Sequence, residues 1–125
     1  MAPRSSNKQL ASATFDVVRN FVEYGQYQRD ETLALRALSR RAPGFSAKTY
    51  QTWFRFQREL LEATIKAFRT TPLLPAPRAG AQRFASAEDV DAGAILHKLR
   101  AAFPARKDAE LATFIPWVVF WHYLR

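Results

Sequence analysis

The chain has 125 residues, carries 19 Lys+Arg against 11 Asp+Glu for a formal charge of +8, and is 48% hydrophobic. That length suits a single domain spanning residues 1–125, and that apolar share is too high for a disordered chain. Its lack of cysteine excludes disulfides, thiolate zinc sites, dithiol redox chemistry and a cysteine nucleophile together.

The opening residues hold Arg4 and Lys8 but no apolar run behind them, unlike a secretory signal, and with no cysteine in the chain a cytoplasmic location is expected. Ser5, Ser6 or Asn7 can cap a first helix. Its apolar face is Leu10, Ala13, Val17, Phe21 and Tyr24, with Lys8, Ser12, Asp16, Arg19 and Glu23 opposite, until Gly25 ends the pattern. Asp30 caps a second helix that buries Leu33, Ala34, Ala37 and Leu38 and closes on Arg40 and Arg41, where the helix dipole favours cations. Ala42-Pro43-Gly44 stops it.

Ser46 then caps a third helix running from Ala47 to about Arg69 without Gly or Pro. Tyr50, Trp53, Phe54, Leu60, Leu61, Ile65 and Phe68 line one half of it, and Glu59 with Arg55 and Glu62 with Arg58 and Lys66 are spaced for surface ion pairs on the other. Residues 70–85 form a Pro-rich crossover, with Pro72, Pro75 and Pro77 holding it extended and Leu73 and Leu74 expected to pack onto the helices. Ser86 and Asp89 make an acidic capping box for a fourth helix, with Glu88, Asp89 and Asp91 in its solvated first turn and Ala92, Ile95, Leu96, Leu99 and Phe103 on its apolar face. A fifth helix starts near Lys107 or Asp108. It must kink or restart at Pro116, where Thr113 could cap the new segment. Its apolar run, Leu111 to Leu124, falls short of the roughly 20 residues a membrane span requires. The expected fold is an all-α single-domain bundle of about five helices: a basic three-helix half (1–69), the crossover (70–85) and a neutral, aromatic helical pair (86–125).

Chemistry-bearing patterns are sparse. The four glycines stand apart, so no phosphate loop or dinucleotide fingerprint exists, and no serine lies between spaced glycines. His97 falls on the solvent side of its helix, and His122 sits in an apolar run as a core or interface residue. The PxxP core at Pro72–Pro75 has its Arg one place beyond the spacing of an SH3-type ligand. Nothing here implies catalysis, a metal, a cofactor or a small-molecule substrate.

Charge is unevenly placed. Residues 1–85 hold 14 Lys+Arg and 6 Asp+Glu, a net of +8, while residues 86–125 hold 5 of each. Within the basic half, Gly44-Phe45-Ser46-Ala47-Lys48-Thr49-Tyr50-Gln51-Thr52-Trp53 resembles the turn and recognition helix of a helix-turn-helix unit, with residues 33–58 as its extent. The resemblance implies nucleic-acid contacts from Lys48, Gln51, Thr52 and Arg55, with Arg40 and Arg41 beside them. Three features depart from the motif: the turn is lengthened by Arg41-Ala42-Pro43, the helix is about twice the length needed, and Glu59 and Glu62 continue its outer face. The aromatic segment points elsewhere. Phe114, Trp117, Phe120, Trp121 and Tyr123 are too many large rings on too many faces for a small bundle's last helix, and such rings anchor interfaces. The leading expectation is a non-enzymatic interaction module, an adaptor or small subunit that binds a protein partner or itself; nucleic-acid binding through residues 33–58 is the alternative.

Overall fold

The computed structural model describes residues 5–75 and 85–124. The fold is all-α, with no strand among the described residues. The helices are α1 (Asn7–Glu23), α2 (Glu31–Arg41), α3 (Ala47–Thr70), α4 (Ala92–Ala102), α5 (Asp108–Leu111) and α6 (Ile115–Val119), the last running into a π turn at Phe120–Leu124. Two compact units divide inside α3, the first Met1–Leu61 and the second Glu62–Arg125.

In the first unit, Ser6 and Gln9 close a reciprocal capping box on α1, and Asp30 accepts the Thr32 N–H at the start of α2. Leu10, Val17, Val18 and Phe21 of α1 are buried, as are Ala34 and Leu38 of α2 and Tyr50, Phe54, Leu60 and Leu61 of α3. Phe21 meets Phe54 edge-on with ring centroids 5.2 Å apart.

The turn between α2 and α3 is set by two devices. Gly44 adopts φ +103°, which L side chains rarely reach. The buried Tyr50 hydroxyl donates to the Ala42 carbonyl at 2.6 Å and accepts the Phe45 N–H at 3.2 Å, so one side chain satisfies two backbone groups of the turn. Ser46 caps α3 by accepting the Thr49 N–H.

In the second unit, Ser86 and Asp89 do form a capping box, but it opens only a single 3-10 turn, Ala87–Asp89. α4 starts later, at Ala92, under its own cap, Asp91, which accepts the Ala94 N–H. Two caps so close together each fit a helix start locally; Asp89 is lost from the solvated first turn because it turns inward and is buried. The expected fifth helix is two short ones. Pro116 has no N–H to give the Ala112 carbonyl, and that carbonyl accepts from Ile115 instead. The Thr113 hydroxyl bonds back to the Glu110 carbonyl, so α6 begins without a side-chain cap. Leu73 and Leu74, expected to pack onto the helices, are instead among the exposed large apolar side chains. Arg100 forks onto Asp108, joining α4 to α5 and holding that carboxyl below its ordinary pKa through the hydrogen bond.

The Tyr50 tie generates a direct test. Tyr50→Phe keeps the ring but leaves the Ala42 carbonyl and the Phe45 N–H without that partner, and should cost about 1–3 kcal/mol in urea unfolding.

Candidate functional site

Two surfaces hold the residues that the sequence marks as functional, one in each unit. On the first, α2 and the start of α3 carry the candidate nucleic-acid contacts. Arg55 forks onto Glu31 of α2, Nε to Oε1 at 2.7 Å and Nη2 to Oε2 at 3.3 Å, in place of the expected pair with Glu59. The Glu31 carboxylate at the start of α2 offers both oxygens to the planar guanidinium, and such a forked pair is stronger than a single contact. This hydrogen bond raises the Arg55 pKa above its ordinary value. Arg41 binds Asp16 of α1 at 2.7 Å. The Thr52 hydroxyl bonds back to the Lys48 carbonyl, and Gln51 is half-buried in a groove between α2 and α3. Arg40 and Lys48 stand exposed. Of six side chains expected to face a nucleic acid together, two guanidiniums are therefore occupied by the protein's own acids and one amide is turned into a groove.

On the second surface, the aromatic segment splits by role. Phe114 is fully buried in the core. Trp117 and Trp121 are half-buried and stack nearly parallel, with centroids 5.2 Å apart and planes at 14°. The Phe120 ring lies 6.2 Å from that of Trp117. Phe120 is 51% exposed and Leu124 37% exposed, within a π turn, a winding that recurs at functional sites. Tyr123 does not face outward as an anchor: its hydroxyl donates to Asp89 Oδ2 at 2.6 Å. His122 and Tyr123 lie against the Phe68 ring of α3, and His97 is exposed.

Asp89 is the residue that sequence reasoning missed. Its buried carboxyl accepts the Ser86 N–H and the Tyr123 hydroxyl, while its backbone carbonyl accepts the Leu74 N–H at 2.8 Å. One residue thus ties three segments of the second unit, at 74, 86 and 123. Only its place in the capping box was visible beforehand, because the partners on either side are 15 and 34 residues away. The tie brings Leu73 and Leu74, 46% and 40% exposed, to the end of the unit where the aromatic segment finishes. Four of the five large exposed apolar side chains among the described residues belong to this unit.

Among the described residues no group of three or more His, Asp and Glu could hold a metal ion, and no helix is long and apolar enough to cross a membrane. The chain matches no family model, no curated protein and no solved structure.

The Asp89 tie is open to a double-mutant cycle. Tyr123→Phe and Asp89→Ala should each destabilise the protein in urea unfolding, by about 1–3 kcal/mol. The double variant should lose less than the sum of the two, with a coupling of about 1 kcal/mol.

Proposed function

We propose that this chain is a small α-helical interaction module without chemistry of its own, and that it binds a protein partner through the apolar end of its second unit. The observation that carries the reading is the exposure of Phe120 and Leu124 beside the stacked Trp117 and Trp121, while Val118 and Val119 between them are buried. The segment thus has its core-facing residues in place and still presents rings outward. Burying one exposed Phe or Leu side chain fully is worth about 1.5–3 kcal/mol, and rings of this kind dominate interface energetics. Leu73 and Leu74 add two further exposed apolar side chains to the same unit.

Nucleic-acid binding through residues 33–58 has less support. A phosphate would have to compete with Asp16 for Arg41 and with Glu31 for Arg55, and the forked Arg55 pair is the geometry a phosphate would itself use.

The test is a photocrosslinking residue placed at position 120, with position 59, an exposed site in the first unit, as control. In cells, position 120 should give a discrete crosslinked protein that position 59 does not, and Leu124→Asp should abolish it. A product of twice the chain's mass identifies the partner as a second copy. No product at 120, or one indifferent to Leu124→Asp, removes the reading.

A further inference from the structure

The groove between α2 and α3 of the first unit has no part in that reading. Its volume is about 380 Å³, and Thr32, Leu35, Arg36, Ser39, Ala47, Tyr50 and Gln51 line it. That places it at the lower end of the roughly 300–1,000 Å³ of ligand sites. Leu35, Ala47 and the Tyr50 ring give it an apolar floor. The Tyr50 hydroxyl is already committed to the turn, so it offers the groove its ring and no polar handle.

Of the polar side chains in the wall, the Ser39 hydroxyl donates to the Arg36 carbonyl, while Gln51 and Arg36 are uncommitted. The half-buried Gln51 carboxamide makes no hydrogen bond among the described residues, leaving two donors and one acceptor at the groove. Arg36 has no ion pair among the described residues, nor has Arg40 one turn further along α2. The first unit's neighbouring acids are spent elsewhere: Asp16 on Arg41, Glu31 on Arg55, Asp30 on the α2 cap. An apolar trough is thus lined by one unpaired guanidinium, Arg36, and one free amide, with the unpaired Arg40 one helical turn beyond.

We infer that this groove is a docking site for an acidic peptide segment of another protein. An apolar side chain of the segment sits on Leu35, Ala47 and Tyr50. Its carboxylates pair with Arg36, whose planar fork suits them, and with Arg40 one turn along α2. The Gln51 carboxamide bonds the peptide backbone, giving to a carbonyl and taking from an N–H. The groove belongs to the first unit and the apolar end to the second, and they share no residue, so either reading can fail without the other.

The test is a display library of short random peptides panned against the full chain, with selected peptides measured by fluorescence anisotropy. Selected sequences should set Asp or Glu beside Leu, Phe or Trp. Arg36→Glu, which reverses the charge, and Thr32→Trp, which fills the groove from an exposed position, should each weaken them about tenfold or more. Lys107→Glu, the same charge change on the second unit, should leave affinity within about twofold, as should Leu124→Asp. Unchanged helicity in circular dichroism shows that the variants fold, and Arg36→Glu, being a surface change, keeps the test alone if Thr32→Trp does not. Selection without an acidic consensus, or affinity indifferent to Arg36→Glu, overturns the inference. So does duplex DNA that binds with this residue dependence where no peptide does.

Discussion

A buried carboxyl holds the second unit together. Asp89 lies in a 3-10 turn, yet its oxygens and its backbone reach residues far away in sequence: Ser86, Leu74 and Tyr123. A short hydroxyl-to-carboxyl bond of 2.6 Å is among the stronger hydrogen bonds a protein makes, and burial raises the cost of breaking it. Its effect is positional. Tyr123 is drawn inward, so the adjacent turn is fixed with Phe120 and Leu124 outward. Leu74 is held in the same act, which keeps an extended Pro-rich stretch from leaving the body of the unit. The exposed apolar surface is thus built on a polar anchor.

The first unit uses charge in a comparable way. Ion pairs at exposed positions add little stability, about 0–1 kcal/mol each. Their larger consequence here is selective neutralisation. Asp16 and Glu31 quench Arg41 and Arg55, and Arg36, Arg40 and Lys48 keep their fields. A basic surface is thereby thinned to a few unpaired cations, of which Arg36 lines the groove between α2 and α3. The Tyr50 hydroxyl makes that groove possible, because closing the turn at Ala42 and Phe45 brings the start of α3 beside α2.

The helices themselves were largely legible. Ser6, Asp30 and Ser46 cap as their side chains allow, Gly25 and the Ala42–Gly44 turn interrupt the pattern, and Pro116 breaks the last apolar run. The candidate surfaces were legible only in part. Helical spacing put Arg55 within reach of Glu59, and the structure gives it to Glu31, since spacing along one helix says nothing of what the next helix offers. Leu73 and Leu74 were expected to pack onto the helices because they are apolar, and they stand exposed on a non-helical stretch whose backbone bonds Asp89.

The sequence by itself determined that the protein is all-α, where its first three helices begin and end, and that its excess charge and its aromatic rings lie in different parts of the chain. Caps, breakers and apolar periodicity act over a few residues, so they can be read along the chain. Tertiary structure decided which charges are spent and which remain, that Asp89 is an anchor and not a solvated cap, and which rings of the aromatic segment face outward. Those outcomes depend on groups that meet across 15 to 34 residues of chain, and a hydrogen bond or ion pair chooses its partner by geometry in space.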